Sequence, residues 1–268
     1  MSISAVVMLS IGSLLIYSGA TYGAVGLLLA RTRFESIGSV DSGLVKLRGT
    51  IARTVGGRVT GPVTETEATV IGWSVEEYDG RLGANSRWVE QAAGVNVTPF
   101  VLSDESGDVA VDLNGSTEPV SAVSETDRRP FSTTTDEVQC FITESDRVEV
   151  GVDETPPARL AGFIAGIDGV GAQSGSPLGF GGGPDHGDRR YIEGRIGVGE
   201  EICVLGEYDS DTELLTIPED VPAVLSNKPQ WKLVGWRTLV ASLQLLFGGV
   251  LVLVGVLSLY AVVATVLP

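Results

Sequence analysis

The chain opens and closes on apolar residues and keeps every charge in between. No Asp, Glu, Lys or Arg occurs in residues 1–30 or 238–268, so all charged side chains lie from Arg31 to Arg237. Each blank exceeds the ~20 residues that cross ~30 Å of hydrocarbon, and the pattern predicts a transmembrane α-helix at each end. A cleaved signal peptide would have a basic start and a shorter apolar run. This chain has neither, and Arg31 and Arg33 follow its first segment as in a stop-transfer sequence. Between the ends, over 31–237, apolar positions recur with the period of strands and no helical period is sustained. Residues 45–51 alternate, and 68–78 alternate with Ile71, Trp73 and Val75 on one face. Phe100 and Leu102, the turn Asp104-Glu105-Ser106-Gly107, and then Val109, Val111 and Leu113 read as a hairpin. Further strands are expected over 138–150, a strand or short helix over 158–167, and a strand pair 191–196 with 201–206 about Gly197-Val198-Gly199. Residues 166–188, with nine glycines and two prolines, read as a flexible surface loop. The fold class predicted is a membrane protein: a mainly β soluble domain, OB-like or barrel-like with a second small strand cluster, between two transmembrane α-helices.

Charge places this arrangement in the cell. Arg31 and Arg33 flank the first span on its inner side and Lys228, Lys232 and Arg237 flank the second, while the outer ends carry no Lys or Arg. By the positive-inside rule this makes a multi-pass cell-membrane protein with its central domain in the cytoplasm and both termini outside. Trp231 and Trp236 fit an interfacial belt beside those charges. The chain carries 34 acidic residues against 18 basic ones, for a net charge of -16, and only three lysines. That composition resembles proteins of salt-loving archaea, in which a carboxylate shell keeps the surface hydrated. It also argues against a nucleic-acid partner, which would be held through Lys and Arg clusters. Cys140 and Cys203 read as free, buried thiols, and with the single His186 they are too few for a structural zinc site.

Three ordered blocks resemble one family. The first runs Gly49-Thr50, then Gly61-Pro62-Val63-Thr64, then the strand through Trp73 to Glu76 and Glu77. The second is Pro99-Phe100-Val101-Leu102-Ser103-Asp104-Glu105-Ser106-Gly107-Asp108-Val109-Ala110-Val111-Asp112. The third runs from Tyr191 and Glu193 through Gly199 to Val204-Leu205-Gly206. Together they are similar to the GIDE family, also described as the "beside a membrane" (BAM) domain, over roughly residues 40–267. The resemblance implies a domain held between two spans in membrane-bound E3 ubiquitin ligases. The departure is decisive for chemistry: those ligases continue into a zinc-binding RING domain, and this sequence contains no such set of ligands.

Other motifs are weak. His186 beside Asp185 lies in the glycine-rich stretch without a frame that would hold a catalytic base, and Gly181-Gly182-Gly183 lacks the Lys-Ser/Thr and helix start of a phosphate cradle. Asp209, Asp211 and Glu213 share the first spacings of a calcium loop but not its sixth-place glycine. Gly19 and Gly23 form a G-x-x-x-G pair for close helix packing, to the second span or to a second copy in a homo-oligomer. The sequence therefore points to a membrane-anchored interaction or scaffold module without catalytic, cofactor or metal residues, with unknown membrane or soluble protein partners. Alternatives are a component of a ubiquitin-type transferase acting with a separate RING subunit, and a membrane sensor or transport accessory.

Overall fold

The computed structural model describes residues 3–80, 87–114, 132–134, 137–167, 170–171, 173, 175 and 184–266. Helix α1 (Ile3–Arg31) leads through β1 (Phe34–Glu35) and a 3-10 turn (Ile37–Ser39) into β2 (Gly43–Thr54), β3 (Val59–Thr60), β4 (Glu67–Ala68), β5 (Val70–Asp79), β6 (Arg87–Val97), β7 (Phe100–Asp104) and β8 (Gly107–Val111). Then come β9 (Ser132–Thr134), β10 (Val138–Phe141), β11 (Glu144–Val150), α2 (Ala158–Ala165), β12 (Arg189–Ile196), β13 (Glu201–Asp209), β14 (Leu214–Thr216), β15 (Ala223–Ser226) and α3 (Gln230–Val266). Two compact units result: Phe34–Lys228, and the two end helices with their flanking residues.

The β unit is built on a closed five-stranded barrel. Strands β2, β7, β8, β14 and β13 pair in that order, and β13 pairs back onto β2. Alternation along each strand turns Leu47 and Ile51, Phe100 and Leu102, Val109 and Val111, and Ile202 and Val204 into one core. Each such buried side chain contributes about 1.5–3 kcal/mol relative to exposure. Two glycines of the family-like blocks permit the closure: a Cβ on Gly49 would collide with the Ser103 carbonyl, and one on Gly206 would lie 2.8 Å from the Thr216 carbonyl oxygen. Beyond the barrel the sheet continues from β13 through β15 and β10 to β9.

A separate four-stranded antiparallel sheet runs β11-β12-β5-β6. One of its faces sends Val70, Val95, Ile192 and Ile196 into the barrel core. The other face carries Ile71, Trp73, Val75 and Tyr191 and is covered by Leu160, Phe163 and Ile164 of α2. This corrects the expected strand pair at 191–206. β12 pairs with β11 and β5, whereas β13 pairs with β2, β14 and β15. The reason lies in the connection: Gly199, at φ +88, turns the chain out of one sheet, and its N–H donates to the Ile51 carbonyl of the barrel.

The helical unit has its own logic. α1 and α3 run antiparallel, with Ala5, Gly12 and Gly19 set against Gly255, Gly248 and Ala241. Small residues seven apart on each helix bring the backbones together, so that a Cβ on Gly12 would lie 2.8 Å from the Gly248 carbonyl oxygen. Large apolar side chains, among them Leu14 and Tyr17 on α1 and Leu246, Phe247 and Leu253 on α3, point outward and are exposed. Among the described residues one stretch, Val240–Tyr260, is long and apolar enough to cross a membrane; the described apolar stretch of α1, Ala5–Ala20, is shorter. Gly19 thus packs on α3 through a seven-residue repeat with Gly12. The surroundings of Gly23, like the side chains of Trp231, Lys232, Trp236 and Arg237, lie outside the described residues.

Candidate functional site

The four-stranded sheet gathers the acids of the first and third family-like blocks, and its register decides what each does. Cross-strand neighbours on one face are Glu149, Arg190, Glu76 and Glu90, one from each of the four strands in order. Arg190 donates to Glu76, and its guanidinium also stacks 4.5 Å over the Trp88 ring, which in turn leans on Tyr78. On the opposite face Arg189 donates to Glu77 at 2.8 Å and to the Gly171 carbonyl. Burial raises the Glu76 carboxyl above the ordinary range even though Arg190 pulls it down. Glu90 stands opposite Glu76 on β5; burial first, and the Glu76 charge second, push its carboxyl up to about 7.

Glu193 is completely buried and organises the β3–β4 turn. Its carboxylate accepts from the Val63 N–H at 2.9 Å, the Thr64 N–H at 3.3 Å and the Thr64 hydroxyl. Arg195 stands 3.7 Å away and divides itself between Glu193, Thr64 and Asp146. Gly61 passes so close to the Glu193 carboxylate that any Cβ there would overlap it. Pro62 follows in the same turn, half-buried. Trp73 is edge-on to Phe163, with ring centroids 4.8 Å apart, and donates to Asn96.

The second block serves the barrel. Asp104 closes the β7–β8 turn, accepting from Ser106 and Gly107, and reaches across to accept from the Ile37 N–H at 3.0 Å. Burial works against its charge, yet hydrogen bonds from Ser106, Ile37 and Gly107 hold the carboxyl below its usual value. Asp104→Ala is expected to lower stability by about 1–2 kcal/mol in denaturant titrations, with exposed Glu105→Ala as a neutral control. Pro99, before β7, offers its carbonyl to the Val55 N–H. Leu205 is fully buried on β13.

The remaining candidates resolve into structure. His186 is framed after all, because the Gly80 N–H donates to its Nδ1 at 3.1 Å and Gly187 and Asp188 bond to Tyr78. This end of the 166–188 stretch is therefore pinned to β5, while Gly181 to Gly183 lie outside the described residues. Asp209 caps its own turn, accepting from the Asp211 N–H and the Thr212 hydroxyl. Cys140 and Cys203 are free and buried, and burial pushes their thiols up to about 12 and about 11. Among the described residues no group of three or more His, Cys, Asp or Glu is placed to hold a metal ion.

The sequence blocks contained the carboxylates Glu76, Glu77, Asp104 and Glu193 but not the arginine partners of the first two. Arg189 and Arg190 stand directly before the third block and Thr64 ends Gly61-Pro62-Val63-Thr64, so the signal was an arginine pair entering a strand opposite a glutamate pair. The motif acids act mainly as internal staples that fix two sheets and a turn. Compared with known proteins, the chain matches no family model, no curated protein and no solved structure.

Proposed function

We propose that this chain is a membrane-anchored interaction or scaffold module of the GIDE type, with both end helices spanning the bilayer, the β unit in the cytoplasm and no chemistry of its own. The observation that carries this reading is the pairing of α1 with α3: a seam of small residues inside and large, exposed apolar side chains outside. Such a surface is costly in water and favourable in lipid. Held at both ends, the domain would stay at the membrane surface, which raises its effective concentration toward membrane partners. The motif carboxylates support a non-catalytic role, since Glu76, Glu77, Glu193 and Asp104 are engaged by arginines, hydroxyls or backbone donors.

Affinity purification of the full chain from native membranes in high salt, followed by mass spectrometry, tests this. A reproducible set of membrane proteins is the expected outcome. Co-purification of a zinc-bearing RING subunit or of a ubiquitin-like modifier would instead favour a transferase component and overturn the scaffold reading.

A further inference from the structure

On the face shared by Glu149, Arg190, Glu76 and Glu90, three carboxylates stand in one row with a single guanidinium. Arg190 starts on β12, donates to Glu76 on β5, and still reaches the Trp88 ring on β6. Trp88 lies two residues from Glu90 on that strand, and Glu90 stands directly opposite Glu76, the acid that Arg190 holds. We propose that Glu76, Glu90 and Arg190 form a proton-linked switch: protonated Glu90 leaves Arg190 on Glu76 and stacked over Trp88, and deprotonated Glu90 competes for the guanidinium and draws it off the Trp88 ring.

The surroundings of Glu90 favour this exchange. From β5 it faces Glu76 directly, with Tyr78 beyond; from β12 comes Arg190; and from β11 Glu144, Arg147 and Glu149 complete the charged groups of the face among the described residues. Arg147 is tied to Glu144 at 2.9 Å and to Glu149 at 3.6 Å, which leaves Arg190 as the guanidinium set between Glu76 and Trp88. β9, packed against β6, consists of Ser132, Thr133 and Thr134 and carries no titratable group. From β10 the titratable side chain is Cys140, whose thiol is neutral throughout the relevant range. Asp79 and Arg87 oppose each other at the hairpin end, on the other face by strand alternation. Glu90 is half-buried, so its proton exchanges directly with solvent. Burial first, and the Glu76 charge opposite it second, raise the Glu90 carboxyl to about 7.

The sign of the linkage follows. An acid whose folded-state value is raised binds more protons folded than unfolded, so its stabilisation is present at low pH and is lost as pH climbs from the ordinary carboxylate range to about 7. Tryptophan fluorescence of the full chain in detergent, titrated from about pH 5 to about pH 9, reads the switch directly, with Trp88→Phe subtracted to isolate the Trp88 signal. The wild type should show one transition with a midpoint near 7. Glu90→Gln should abolish it and give a thermal midpoint that no longer falls across this window. Glu76→Gln should keep a transition but move its midpoint downward, because the like charge is gone. A transition that persists unchanged in Glu90→Gln, or a wild-type Trp88 signal that is flat across the range, would overturn the proposal.

Discussion

Glu193→Ala is expected to destabilise the β unit by roughly 3–5 kcal/mol, the range seen when one partner of a buried charged cluster is removed. Truncation leaves the Val63 and Thr64 N–H groups and the Thr64 hydroxyl without their acceptor, in a place where Glu193 itself has no exposed surface. It also opens a gap against Gly61, whose bare Cα is the reason the carboxylate fits. Glu193→Gln keeps the volume and one acceptor oxygen and should cost less, about 1–3 kcal/mol, since the lost part is the charge assistance. Thr64→Val removes a single hydroxyl and should cost about 1 kcal/mol. Chemical denaturation of the three purified variants checks the order. Equal stability of Glu193→Ala and wild type would remove Glu193 from its role as an anchor of the β3–β4 turn.

Gly248→Leu should separate α1 from α3. A Cβ at Gly248 would already lie 2.8 Å from the Gly12 carbonyl oxygen and 2.9 Å from Ile16, so an isobutyl group leaves the helices no option but to move apart. A loss of about 2–4 kcal/mol in the pairing of the helices is expected, within the span for overpacking at a tight contact. The adjacent Gly249 supplies the control, because a Cβ there meets nothing within 4 Å. Gly249→Leu should leave thermal stability in detergent unchanged, while Gly248→Leu lowers it markedly. If the two leucine variants behave alike, the small-residue seam is not what holds the helices together.

How far the sequence carried the fold depended on whether local pattern or long-range pairing decided each element. The hairpin β7–β8 was legible because its turn, Asp104-Glu105-Ser106-Gly107, and its alternation lie within a dozen residues. The face of Ile71, Trp73 and Val75 was legible for the same reason. The partner of 191–196 was not: adjacency in sequence favoured 201–206, yet the Gly199 turn sends β12 and β13 into different sheets, and β12 finds β5 more than a hundred residues earlier. Ala158–Ala165 resolved as a helix because its apolar Leu160, Phe163 and Ile164 recur at three and four residues, a stripe that covers Trp73. In the helical unit the four-residue spacing of Gly19 and Gly23 drew notice, whereas contact with α3 follows the seven-residue repeat of Ala5, Gly12 and Gly19. That repeat becomes visible only once a matching set at Ala241, Gly248 and Gly255 faces it.

The candidate site shows the same division. Glu76, Glu77, Asp104 and Glu193 stood in the family-like blocks, but Glu76 and Glu77 take their meaning from cross-strand arginines and Glu193 from a turn some 130 residues earlier, which no local window contains; only the Ser106 and Gly107 donors of Asp104 are local. Glu90 escaped notice entirely, since only the β5–β6 register sets it opposite Glu76.

Single-cysteine labelling with a membrane-impermeant reagent tests the central claim most directly, and the buried native thiols of Cys140 and Cys203 keep the background low. Reporters are placed at Ser2, at exposed Ser210 on the β unit and at Pro268. Two spanning helices with a cytoplasmic β unit predict that Ser2→Cys and Pro268→Cys react in intact cells, and Ser210→Cys only after permeabilisation. Identical behaviour of all three positions would contradict a domain suspended from two membrane anchors.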